Sequence, residues 1–259
     1  MTITRNRGFT LIELAMVLFI MALILGGLLP PLSTKLEQDE RNKTADLLEQ
    51  AKNSLIGYVV VNGHLPCPDC PNSTITANCG AVASGLGTSA INDGNEDGIA
   101  SGGSPSNDRS TNPFLSCATS EGNLPWATLG IDENDVWGNH FDYRVTDTFA
   151  DDIDGTGTCA AVTTGVSFQI CSTGNINVED GSGNSVAQNL PAIIISYGKN
   201  AGDPTNPSSA SEVENQNYDT LFIQKDYNTA AGADEFDDML TWIPTSTLVY
   251  RMVQAERLP

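Results

Sequence analysis

The sequence predicts an α+β protein: a long N-terminal helix, one half membrane-spanning and one half amphipathic, packed on a small antiparallel sheet with large irregular loops. Three observations carry this. Residues 9–29 form an apolar run in which only Thr10 and Glu13 are strongly polar. From Leu32 to Asn62, apolar residues recur at three- and four-residue steps. Beyond Gly63 the chain is punctuated by turn-forming residues and its apolar runs are short.

The apolar run comes first. Phe9–Leu29, at 1.5 Å per residue, makes about 31 Å of helix, enough to cross a bilayer core. Arg5 and Arg7 stand before it. Positive flanking charge stays cytoplasmic, so the bulk of the chain is expected on the other side. A secretory signal peptide fits less well: the run is long, and Pro30-Pro31-Leu32 is not a small-x-small cleavage site. Glu13 is the anomaly, because a carboxylate in hydrocarbon costs roughly 2.5–3.5 kcal/mol even on lenient insertion scales. It needs a partner.

The second half is amphipathic. Leu36, Leu47, Leu48, Ala51, Leu55, Ile56 and Val59 share one face, and Lys35, Glu37, Glu40, Lys43, Asp46 and Glu49 fill the other. Asn62-Gly63 is the stop signal. The two halves read as one rod over residues 9–62, about 81 Å if straight. Pro30 and Pro31 remove backbone donors, and Gly26 and Gly27 sit where the freed carbonyls fall, so a kink or local melting is expected there.

The apolar face of residues 32–62 needs a sheet to cover it. Strands are expected at Phe141–Val145, Val166–Cys171 and Ala192–Tyr197, with residues 162–171 in a hairpin closed by a disulfide. Residues 72–113, rich in Ser, Gly, Asn and Thr, read as mostly loop, and Ser246–Leu258 as a final short helix.

Charge excludes one class of partner. Twelve basic residues face 32 acidic ones, a formal charge of −20. Nucleic-acid binding relies on basic patches, so none is expected. Solubility and divalent-cation binding are the two uses such a surface suggests. Catalytic signals are weak: His64 and His140 are the only histidines, and there is no nucleophile elbow, P-loop or dinucleotide fingerprint. The chain reads as a non-enzyme.

Six cysteines all lie beyond the apolar run. An exported domain makes disulfides the default, although six cysteines allow 15 pairings. Spacing suggests local bridges Cys70–Cys79 and Cys159–Cys171, which leaves Cys67–Cys117. The rival is a zinc site at "CPDC", which lacks a second such pair.

The stretch "GFTLIEL" resembles the prepilin motif of type IV pilins and type II secretion pseudopilins. The resemblance implies cleavage by a prepilin peptidase between Gly8 and Phe9, N-methylation of Phe9, and an assembly role for Glu13. Residues 1–8 are then a leader, 9–30 a transmembrane and filament-core helix half, and 31–259 a periplasmic or extracellular globular domain that includes the helix half 32–62. It also supplies the partner of Glu13: the cationic amine of Phe9 on a neighbouring subunit, which makes the glutamate a register device. Removing the leader takes two arginines and no acid, leaving a formal charge of −22. "DVWGNHFDY" is similar to an element of the major pseudopilin, and "GHLPCPD", "IISYGKNAG" and "DDMLTWIP" look like further parts of a pseudopilin-type minor pilin. The function implied is a structural subunit anchored in the bacterial inner membrane and assembled with other pilin or pseudopilin subunits. The alternative is an adhesive or ligand-binding minor pilin at a filament tip, with loop 72–116 as its contact surface.

Two acidic stretches are calcium candidates. "NDGNEDGIAS" offers Asp93, Asn95 and Asp97 at alternating positions, then Gly98 and the carbonyl of Ile99, like the front half of an EF-hand loop. It lacks the bidentate glutamate, and the alternative is an Asx-rich turn. "GADEFDDMLTW" holds Asp234, Asp237 and Asp238. Major pseudopilins bind calcium in a C-terminal loop of this kind; the alternative is a helix N-terminus.

Overall fold

The structure is a computed structural model describing residues 10–71, 92–100, 105–106, 114–151, 165–201, 209–229 and 234–258, with backbone alone at 25–33, 100, 105–106 and 114–115. The chain forms two compact units, Met1–Lys43 and Thr44–Pro259.

Helix α1 is a single element, Leu11–Asn62, as the pattern predicts. It ends where Gly63 turns into the left-handed region at φ +84° and donates its N–H to the Val59 carbonyl at 2.8 Å. A side chain at Gly63 would also strike the Gly165 carbonyl, 2.0 Å from where a Cβ would stand, so both conformation and space require glycine. The helical backbone runs through Gly26, Gly27, Pro30 and Pro31, whose side chains lie outside the described residues.

In the second unit, the face of α1 carrying Leu48, Ala51, Leu55 and Val59 is buried, at relative accessibilities of 3% or less. Against it lies a four-stranded antiparallel sheet. In chain order the strands of the unit are β1 (Gly98–Ala100), β2 (Pro105–Ser106), β3 (Phe114–Cys117), β4 (Glu121–Asn123), β5 (Asp142–Val145), β6 (Ile176–Asp180), β7 (Ser185–Leu190), β8 (Ala192–Ser196), β9 (Leu221–Gln224) and β10 (Met239–Ile243). The central sheet runs β10-β8-β5-β4.

Its register decides what each face does. Tyr143 pairs with Ile194 and Val145 with Ala192, and these four join the helix residues in one core. Ile193 and Ile195 point the other way and pack with Ile176, Val178, Leu190 and Phe222. Those belong to a second three-stranded sheet, β7-β6-β9, in which β6 and β9 run parallel. Strand β8 is therefore covered on both faces, and all five of its residues are buried. That is why "AIIIS" reads as a continuous apolar run rather than an alternation. The unit has three layers: helix, sheet, sheet. After the short helices α2 (Trp126–Leu129) and α3 (Ala210–Asn215), helix α4 (Thr245–Gln254) adds Leu248 and Met252 to the helix-side core.

Strands β5 and β8 and helix α4 stand close to where the sequence put them, with α4 ending at Gln254 before Leu258. The expected strand Val166–Cys171 is instead an irregular turn segment. Val166 and Phe168 do point inward, the Phe168 ring tilted against Phe149 with centroids 4.9 Å apart. Its donors, however, go elsewhere: Ser167 N–H to the Gly63 carbonyl at 3.0 Å, and Gln169 N–H to Ser172 Oγ at 2.9 Å. Alternation there serves core packing without a ladder. Residues 72–91 of the expected loop lie outside the described residues, and the described remainder contributes the short strands β1 and β2.

Cys67 and Cys117 form a disulfide, Cα atoms 5.2 Å apart, tying the segment after α1 to β3. Cys70 and Cys171 are also disulfide-bonded, and no described cysteine is free. "CPDC" is thus no zinc pair. The expected partners of these two, Cys79 and Cys159, lie outside the described residues.

Candidate functional site

Two places carry functional geometry, one in each unit. At the start of α1, Thr10 and Glu13 form a reciprocal cap. The Thr10 N–H and hydroxyl both donate to Glu13 Oε2 at 2.8 Å, and the Glu13 N–H donates to Thr10 Oγ1 at 3.3 Å. This is a capping box, threonine at the cap and glutamate three positions on. In the single chain, Glu13 thus satisfies its own helix end. Around it the apolar side chains from Leu11 to Ile24 stand in the open; Leu11 is 87% exposed and Phe19 66%. Among the described residues no helix is long and apolar enough to cross a membrane, and the described side chains of this run stop at Ile24. Gly8 and Phe9 lie outside the described residues.

The second place is a cluster of carboxylates at the end of the central sheet. Glu212 stands on the short helix α3 (Ala210–Asn215), and Asp237 and Asp238 lead into β10. One oxygen from each lies within 4.8 Å of the other two, and among the described residues this is the group of acidic, histidine and cysteine side chains so gathered. Glu212 is fully buried and Asp238 nearly so.

Each carboxylate is held by one oxygen and unpartnered on the other. Asp237 Oδ2 accepts the Lys199 N–H at 2.9 Å. Glu212 Oε1 accepts the Asp237 N–H at 3.1 Å, and Asp238 Oδ2 accepts from Asn215 Nδ2 at 2.7 Å. Asp237 Oδ1, Glu212 Oε2 and Asp238 Oδ1 are buried with no hydrogen-bond partner. Asn215 is itself fixed, because its Oδ1 accepts the Ile223 N–H at 2.7 Å. Gly198, at φ +66°, lets the Lys199 turn approach; a Cβ there would lie 2.5 Å from the Asp237 carboxyl carbon.

Electrostatics favour a positive charge at this cluster. Burial pushes the Asp237 carboxyl up to about 6, opposed by the Lys199 N–H and reinforced by Glu212. Burial drives Asp238 well above the carboxylate range, with Glu212 and Asp237 adding to it. Buried like charges with free lone pairs are costly unless protonated or bridged. Three carboxylate oxygens are hard donors, which suit Ca²⁺ or Mg²⁺ rather than a soft metal. The residues present fit a hard divalent cation.

Of the predicted ligands, Asp237 and Asp238 are brought together. Asp234 is not among them; its carbonyl accepts from Asn228 Nδ2 at 2.9 Å. Glu212 was missed. Its sequence signal, Ser209-x-x-Glu212, reads as a helix start, and the Ser209 hydroxyl does accept the Glu212 N–H at 3.3 Å. Nothing local reveals that its carboxylate turns inward.

In the other acidic stretch, Asp93 Oδ1 accepts the Asn95 N–H at 2.9 Å, an Asx turn. Asp97 is fully buried, and its Oδ2 accepts the Cys70 N–H at 2.9 Å. Ile99 sits in β1 and packs beside Cys70 and Ala118. Glu96 turns to Tyr58, whose hydroxyl donates to it at 2.8 Å.

The comparison with known families bears on the first place. Residues 3–29 match the model of the prokaryotic N-terminal methylation motif. The match covers the N-terminal segment alone, the stretch that holds Gly8, Phe9 and Glu13. No curated protein and no solved structure matches the chain.

Proposed function

We propose that the chain is a structural subunit of a type IV pilus-like or type II secretion pseudopilus filament. The observation that carries this is the methylation motif at residues 3–29, with an apolar run whose described side chains, Leu11 to Ile24, stand exposed. A prepilin peptidase cuts between Gly8 and Phe9, and Phe9 is N-methylated. The helix half 9–30, kinked near Gly26, Gly27, Pro30 and Pro31, anchors the subunit in the inner membrane with the globular part periplasmic. Assembly with other subunits moves that half into the filament core. Glu13 then exchanges its internal cap for the Phe9 amine of a neighbour, a trade available at one axial offset. The chain's work is assembly rather than catalysis.

The three-carboxylate cluster takes Ca²⁺ in this reading, since an irregular loop suits its flexible coordination better than the strict octahedron of Mg²⁺. The cation pins α3, the Lys199 turn and the start of β10 together.

Mass spectrometry of the mature N-terminus decides the first point. N-methylated Phe9 is expected. Assembled protein that still carries Met1–Gly8 overturns the filament reading, because the cationic amine at Phe9 never forms.

A further inference from the structure

A second concavity in the globular unit is lined by residues other than the three clustered carboxylates. It is a cavity of about 280 Å³ beside the β4–β5 edge, walled by His140, Tyr197 and Tyr218, with Asp142, Asn123 and Asn139 supplying polar atoms. Three features set it apart from a surface dent.

The first is a strained aromatic at its rim. Tyr218 has φ +62° and is 52% exposed. A bulky residue in the left-handed region is uncommon and persists only where its surroundings enforce it. Here Asx bonds on both sides do so: Asp219 N–H to Asn217 Oδ1 at 2.9 Å, and Leu221 N–H to Asp219 Oδ1 at 2.7 Å. The ring is held at the cavity mouth at a conformational cost.

The second is a built floor. Asp142 Oδ1 accepts the Tyr143 N–H at 3.0 Å and Oδ2 accepts the Tyr197 hydroxyl, and the Glu121 carboxyl and the Arg144 guanidinium act on the same carboxylate, so its orientation is fixed. Asn139 is locked by its Nδ2 bond to the Gly198 carbonyl at 2.9 Å, and His140 stacks on Trp126 at 5.0 Å. The walls are set by packing before any guest arrives.

The third is charge. Among the described residues no lysine or arginine lines the cavity. Behind it Arg144 is committed to Glu121. Burial raises the Asp142 carboxyl to about 6, partly offset by the Tyr197 hydroxyl, and burial followed by repulsion from Asp142 raises Glu121 as well. The formal charge of the whole chain is −20. A desolvated carboxylate among aromatic rings, in a strongly negative field, gains most from a cation. A metal ion would need several oxygens at short range, and the cavity offers one carboxylate.

We propose that this pocket binds an organic cation, an ammonium or guanidinium group on an alkyl stem. The head pairs with Asp142 and lies against Tyr197 and Tyr218; the stem leaves past the Tyr218 rim. Such a group comes either from a lysine or arginine side chain of a partner polypeptide or from a free polyamine. The proposal is independent of the filament reading.

The test uses the full-length chain in detergent micelles with calcium present, by titration calorimetry at pH 7.5. Probes are N-acetyl-lysine methylamide, cadaverine, the neutral N-acetyl-norleucine methylamide and methyl α-glucoside. One or both cations bind saturably, and the two neutral probes do not. Tighter binding of the lysine derivative identifies a polypeptide source; tighter binding of cadaverine identifies a polyamine. Asp142→Asn weakens binding at least about tenfold, and Tyr218→Ala about fivefold, a typical loss for one partly exposed cation–π contact. Moving to pH 5 weakens binding as Asp142 takes up a proton, with Glu121, Arg144, His140 and both tyrosines the other titratable or charged groups facing it. Tyr218 lies at the surface, so its variant keeps the wild-type melting curve and decides the matter where the Asp142 variant does not fold. No saturable binding of either cation, binding of the glucoside instead, or equal affinity in wild type and the Tyr218 variant overturns the proposal.

Discussion

The two ends of α1 are made of similar apolar residues and meet opposite fates. Leu14 and Leu18 are 56% and 60% exposed; Leu48 and Leu55 are 3% and 0% exposed. The difference lies in periodicity, not in hydrophobicity. Around Leu48 and Leu55 the apolar positions form one stripe, with charges opposite, and one sheet suffices to cover it. From Leu11 to Ile24 they surround the helix, so no single layer of the same chain can bury them. The second end is a folding element. At the first, the described side chains stay exposed.

The sharpest way to break this comparison is truncation at each end. Leu55→Ala removes a fully buried side chain from the helix–sheet core and is expected to cost about 2–5 kcal/mol. Leu18→Ala leaves the thermal melting of the globular unit unchanged. Melting of both full-length variants in detergent checks the pair, and equal losses would erase the distinction.

Next in size is the disulfide that follows the buried end. Replacing Cys67 and Cys117 by alanine together is expected to destabilise the globular unit by about 2–4 kcal/mol. Helicity and micelle association of the first twenty residues stay as they were. A denaturant midpoint that does not move would mean that the bridge constrains nothing.

Calcium sharpens the comparison further, because the site proposed for it lies wholly in the globular unit. At one hundred times its dissociation constant it adds about 2.7 kcal/mol of native stability by mass action. Glu212→Gln or Asp238→Asn abolishes the increase in melting temperature, while Asp93→Asn and Asp234→Asn retain it. Identical melting curves in chelator and in millimolar calcium would count against the site.

The smallest effect is that of pH. Burial, reinforced by the Asp97 carboxylate, lifts Asp69 to about 7, and Asp142 stands near 6. A carboxyl raised in the folded state binds more protons folded than unfolded between its ordinary pKa and the raised one, so its stabilisation is present at low pH and lost as pH rises through that window. The melting temperature is therefore expected to fall by a few degrees from pH 4.5 to 7.5, and Asp69→Asn to flatten part of the slope. A rise over that range would contradict the assignment.

Much of this was legible in the sequence wherever a pattern was long. The helix from Leu11 to Asn62, its stop at Gly63 and the buried strand at Ala192–Ser196 follow from periodicity, a turn residue and an apolar run. The outer sheet was not legible, because β7 is mostly exposed and "SVAQNL" shows no alternation. Val166–Cys171 looked like a strand, since core packing alone can produce alternation. At the carboxylate cluster, adjacent Asp237 and Asp238 were visible, but Glu212 reaches them only through tertiary folding. Glu13 was recognised as anomalous from its setting, whereas its cap with Thr10 is a local bond that the same residues announce.

The parallel pairing of β6 with β9 has a consequence for the order of folding. Strands β7 and β8 and helix α3 all lie between the two partners in sequence. The β6–β7 hairpin can zip up from its own turn, but β9 must close a long loop before any contact rewards it, and such closures come late. Glu212 rides on the connection being closed, and Asp237 and Asp238 emerge only after it. The carboxylate cluster is therefore among the last features to exist on the way to the native state. Under the proposed reading, a cation that needs all three residues binds no earlier intermediate, so it would act as a latch on the completed topology and slow the unfolding of the outer sheet first.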